Sequence, residues 1–105
     1  MLVTTEQLLA KPGREAELEA KLEVLAAAVR GEPGCRGVRL ARSQHDSQRF
    51  LVLSRYADDR ALDDHTRAAH YTEALPALMD CLEEPPVVAL FDEIGSRAQD
   101  TEDTG

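Results

Sequence analysis

A chain of 105 residues makes one small domain. Folding at that size hides only about two-thirds of the unfolded surface, so the core is limited and a partner subunit would help it. The net charge of −8, from 20 acidic against 12 basic residues, repels phosphate backbones and anionic membrane surfaces, and no basic cluster overrides it. No apolar run approaches about 20 residues, and the N-terminus lacks a basic region followed by an apolar core. The sequence therefore predicts a cytoplasmic protein with neither nucleic acid nor membrane as a partner. Aromatic residues make up 4% with no tryptophan, so a pocket would be lined mainly by aliphatic groups. Cys35 and Cys81 read as small buried hydrophobes of a reducing compartment, and no cysteine or histidine set has zinc-ligand spacing.

Residues 1–10 (MLVTTEQLLA) read as a first strand, closed by a Lys11-Pro12-Gly13 turn in which proline presets φ and glycine accepts a positive one. The clearest helix spans 15–30, where Leu18, Leu22, Leu25 and Val29 share a face. Glu15, Glu17 and Glu19 crowd its first turns, at the positive end of the helix dipole. Gly31-Glu32-Pro33-Gly34 ends it with both helix breakers. Residues 38–43 alternate as a half-exposed strand, and a polar hairpin loop over 44–48 carries a solvated His45. In the next strand, 50–56, Phe50, Val52, Ser54 and Tyr56 share one face and Leu51, Leu53 and Arg55 the other. Asp58 is an N-cap for a helix to about Arg67, whose inward sector holds Ala61, Leu62, His65 and Ala69. A further helix over 71–82 stacks Tyr71, Leu75, Leu78 and Leu82, and Pro76 should kink it or split off its first turn. Residues 87–94 form a last strand, and 96–105 read as a disordered acidic tail after a domain spanning 1–95.

The order β-α-β-β-α-β is the α+β, ferredoxin-like arrangement, a four-stranded antiparallel sheet with helices on one face. The strands at 50–53 and 87–91 are apolar on both faces, yet the helices suffice for one. A homodimer packing through the open sheet face is the expected cover.

His65, inward on its helix beside a strand ending in Tyr56, is the constellation that can carry chemistry. His70 follows five residues later, about 140° round a continuous helix, so the two make no metal pair unless the chain bends near Ala68-Ala69. No metal is expected. The Lys11-Pro12-Gly13 turn, the Glu32-Pro33-Gly34-Cys35 turn before the second strand, and the run Ala61-Leu62, His65, His70 resemble the antibiotic biosynthesis monooxygenase family of dimeric α+β barrels. The resemblance covers nearly all of residues 1–94 and implies small-molecule enzymes that oxygenate quinols or polycyclic phenols without metal or flavin. Haem degraders, an isomerase of a phosphorylated sugar and members without known activity share the family. Many members end the third strand with E-x-W, where this chain has Ser54 and Tyr56.

For a cofactor-free oxygenase, the substrate must be deprotonated to an electron-rich anion that reduces O₂, which calls for a base near neutral pKa in a dry pocket. His65 is the candidate base, Tyr56 a hydroxyl partner for the substrate, and His70 or Arg55 a charge partner. Phe50, Val52, Leu62 and Tyr71 are the candidate substrate-lining residues. The expected function is oxidation of a small aromatic quinol or polyketide-type phenol without cofactor. The alternatives are an isomerase or tautomerase of a small keto compound and a non-catalytic ligand-binding domain.

Overall fold

The computed structural model describes residues 1–95, so the acidic tail expected over 96–105 lies outside the described residues. The elements are β1 (Leu2–Leu9), α1 (Glu15–Arg30), β2 (Cys35–Arg42), β3 (Arg49–Tyr56), α2 (Asp59–Arg67), α3 (Ala69–Asp80) and β4 (Val87–Asp92). The strands make one sheet in the order β2-β3-β1-β4, every neighbouring pair antiparallel. This is the expected ferredoxin-like α+β topology, with its second helical region in two pieces.

Period-two alternation divides the sheet into two unlike faces. In the central pair, Leu2 lies opposite Tyr56, Thr4 opposite Ser54 and Leu8 opposite Phe50. All six are buried and face the helices. The main core joins Leu8, Ala10 and Phe50 to Leu18 and Leu22 of α1 and to Leu78, Cys81 and Leu82 beyond the sheet. Helix α1 buries Leu18, Leu22, Ala26 and Val29, while Leu25, expected in the seam, packs partly buried at its side. Arg14, just before α1, pairs with Glu17 and reaches the side chain and carbonyl of Asp80 at the end of α3, tying the two helices together.

The second helical region departs from expectation in where it breaks and where it ends. Helix α3 runs unbroken through Pro76 and covers Ala69–Asp80. The interruption falls earlier, at Ala68, whose φ of −66° and ψ of 136° are extended. Leu82, expected at the end of the helix, instead makes an isolated bridge with Ala10. The opposite sheet face carries Val3, Leu51, Leu53 and Phe91, and strand β4 leaves Val87, Leu90 and Phe91 more than half exposed at 59%, 58% and 52%. No helix among the described residues is long and apolar enough to cross a membrane.

Candidate functional site

The site forms where the turn between α1 and β2 meets helix α2. Asp58 starts α2 by accepting a hydrogen bond from the Ala61 amide at 2.9 Å, as an N-cap should. The Gly34 carbonyl accepts from the Ala57 amide at 2.9 Å, binding the turn to the end of β3. Glu32 is fixed within the turn, its amide donating to the Val29 carbonyl and its carbonyl accepting from the Cys35 amide. Its side chain is thereby presented to α2.

The Glu32 carboxylate receives two imidazoles. His65 Nδ1 lies 3.1 and 2.9 Å from its two oxygens. His70 Nε2 makes a short bond to the second oxygen. The Ala68 interruption accounts for this convergence, because it lets the chain turn between the two histidines, which one continuous helix would splay apart. An ionised carboxylate only accepts, so Nδ1 of His65 donates to it, and the neutral form of the ring then has its lone pair on Nε2. Among the described residues Nε2 has no hydrogen-bond partner, although His65 as a whole is only 7% exposed. A carboxylate that orients the ring and a lone pair on Nε2 are the parts of a general base.

The surroundings of His65 are aromatic and apolar. Its ring centroid lies 5.4 Å from that of Tyr56 and 4.4 Å from that of Tyr71. Burial pushes both phenols above their ordinary range, so they remain hydrogen-bond donors at neutral pH. Glu6, on the helix-facing side of β1, completes this wall, and burial raises its carboxyl while His65 pulls it back. An inner cavity of about 40 Å³ borders Tyr56, His65, Tyr71 and Val52, and a cleft of about 620 Å³ borders Glu32, His65, His70 and the Gly34 turn. His65 lines both.

Of the residues read from sequence, His65, Tyr56, His70, Tyr71 and Val52 are brought together. Phe50 is not among them. It sits at the far end of β3 within the core, with the Arg42 guanidinium 5.0 Å over its ring, because the extended residues 51–55 separate it from Tyr56. Leu62, half-buried on α2, lines neither the cavity nor the cleft. Arg55 points to the other sheet face, where it forms a two-pronged pair with Glu93 at 3.0 Å on each prong. Sequence reasoning missed two residues, Glu32 and Glu6. Glu32 stood inside a helix-ending turn whose breakers explained it locally, and its place in the Glu-x-Gly-Cys turn was the available signal. The three side chains Glu32, His65 and His70 could also hold a metal ion, since one ligand atom from each lies within 4.8 Å of the others.

The topology and the imidazole-carboxylate centre define an α+β protein of the ferredoxin-like class with a small-molecule-sized cleft. The sequence profile of the antibiotic biosynthesis monooxygenases matches residues 1–77, and the chain belongs to that family. Among solved structures it is similar to one described as an antibiotic biosynthesis monooxygenase, with 26% identity and a TM-score of 0.84 over 90% of this chain and 99% of that one. A protein of Caulobacter crescentus, provisionally described in the same way, shares 30% identity and a TM-score of 0.84 over 89% of each chain. A Pseudomonas aeruginosa protein is 26% identical at a TM-score of 0.81, over 90% of this chain and 94% of that one. A search of curated proteins returned no match.

Proposed function

We propose that this protein is a cofactor-independent monooxygenase acting on a small aromatic quinol or polyketide-type phenol. The observation that carries the reading is the Glu32-held imidazole of His65, ringed by two protonated tyrosines and bordering the cleft. The cleft falls in the size range of small-molecule sites, roughly 300–1,000 Å³, whereas the inner cavity is too small for an aromatic ring system.

In this reading Nε2 of His65 takes the proton of a substrate hydroxyl, and the Glu32 carboxylate stabilises the imidazolium that forms. Tyr56 and Tyr71 line the inner cavity and not the cleft, so they pack against the imidazole from within while the oxyanion stays beside the imidazolium in the cleft. The anion passes an electron to O₂, the two radicals combine at a ring carbon, and the hydroperoxide sheds water. One oxygen atom enters the ring and the other leaves as water, with the substrate supplying all four electrons. A quinol plus O₂ thus gives a hydroxyquinone plus water. Aerobic and anaerobic incubation with a panel of naphthoquinols tests this. Equal rates of product formation, once autoxidation is subtracted, would sink it.

The same dyad can move a proton between two carbons without oxygen, and two imidazoles on one carboxylate suit such a relay. Oxygen-independent turnover of a keto-diol sugar phosphate would select this second, isomerase reading.

The assembly proposed is a homodimer through the open sheet face. Val3, Leu51, Leu53 and Phe91 form an apolar surface there that no element of the chain covers among the described residues, and Val87 of β4 continues it. A second copy offers the same surface and closes the contact by two-fold symmetry.

A further inference from the structure

We propose that Glu32, His65 and His70 form a binding site for a divalent transition metal ion of the Zn²⁺ class. The donor set is the first argument. One carboxylate oxygen and two imidazole nitrogens suit such ions, and three protein ligands leave coordination positions open. Geometry is the second. The three donor atoms lie within 4.8 Å of one another, and His65 Nδ1 is 2.9 Å from Glu32. An ion about 2.0–2.2 Å from each ligand requires tetrahedral edges of roughly 3.3 Å. The two hydrogen-bonded edges must therefore open by some tenths of an ångström, and the edge between the imidazole nitrogens, which lies within 4.8 Å, must settle at that tetrahedral length, shifts within the range of side-chain torsions. Burial is the third. The side chains of His65 and Glu32 are 8% and 11% exposed, while His70, at 36%, faces the cleft through which an ion would enter.

Occupancy has a consequence for the neighbouring chemistry. A metal on Nδ1 of His65 displaces the proton held there, and the neutral ring must then carry its proton on Nε2. The lone pair that would take a substrate proton becomes a donor. The ion and the base therefore exclude each other, and the metal switches the proposed reaction off. Metal uptake itself does not depend on that reaction.

The test uses chelator-stripped full-length protein titrated with Co²⁺, followed by its visible absorption, and with Zn²⁺ against a chromophoric chelator. The expected result is uptake of a single ion per chain, weakened about tenfold or more in Glu32→Gln and in His70→Ala and unchanged in His45→Ala, whose side chain lies in an exposed loop. Because His70 is partly exposed, its truncation leaves the fold in place, which circular dichroism checks. Absence of uptake by the native protein overturns the proposal. So does uptake undiminished in both ligand variants.

Discussion

Gly34 and Ala61 meet where the turn before β2 packs on helix α2, so closely that a Cβ added at Gly34 would lie 2.2 Å from the Ala61 Cβ and 3.1 Å from its Cα. Only a residue without a side chain lets the turn approach the helix and carry Glu32 to His65. The substitution Gly34→Ala should destabilise the protein by about 1–3 kcal/mol through overpacking, and it should pry Glu32 from His65. Thermal melts measure the first effect. An unchanged midpoint would show that the turn yields at no cost.

Replacing Glu32 by glutamine keeps its shape and removes its charge. The amide no longer compensates a protonated His65 or fixes its tautomer, so turnover of a productive quinol should fall on the order of 100-fold. Oxygen uptake under saturating substrate is the measurement. A variant with native rates would remove the dyad from the chemistry. His65→Ala should lose at least as much.

The exposed Arg14 cluster should make a small part of the stability depend on acid. Hydrogen bonds from Arg14, Lys21 and Cys81 hold the Glu17 carboxyl down at about 2. A carboxylate whose folded pKa is depressed contributes stability above its ordinary pKa, and that contribution is lost as pH falls through the folded value. Glu17→Gln should therefore lower the melting temperature at pH 7. The gap between variant and parent should shrink as the pH drops below 4.5 toward 2. A gap independent of pH would mean that the pairing does not stabilise the fold.

Introducing a charge at Phe91, on the open sheet face, should separate the proposed dimer. Light scattering after size exclusion is expected to give twice the chain mass for the parent and the chain mass for Phe91→Asp. A monomeric parent would dismiss the dimer.

The helix and strand order was legible because each long element advertises its period. The Leu18–Leu22–Val29 spacing gives α1, and the alternation from Phe50 to Tyr56 gives β3. Element order and sheet topology follow from these. His65 and Tyr56 could be paired because both lie at the edges of recognisable elements. Glu32 was harder to read, since a turn has no periodicity to show which way a side chain points, and its role exists only once α2 docks. Phe50 was placed near Tyr56 by face, but alternation assigns a side of the sheet and says nothing of distance along the strand. Pro76 drew attention as the helix breaker, yet α3 accommodates it and the break falls at an alanine.

Alanine is the best intrinsic helix former, and neither Ala68 nor Ala69 supplies a chemical reason to stop a helix. The extended backbone at Ala68 is therefore imposed by the packing of α2 and α3 onto the rest of the molecule. A peptide covering residues 59–80 alone would be free to run as one helix, with its two histidines about 140° apart and no shared acceptor. The imidazole pair is thus a property of the assembled fold, absent from the segment that carries both rings. Loosening of the α2–α3 joint would dissolve it while the sheet still stood, making the ring resonances of His65 and His70 an early gauge of local opening.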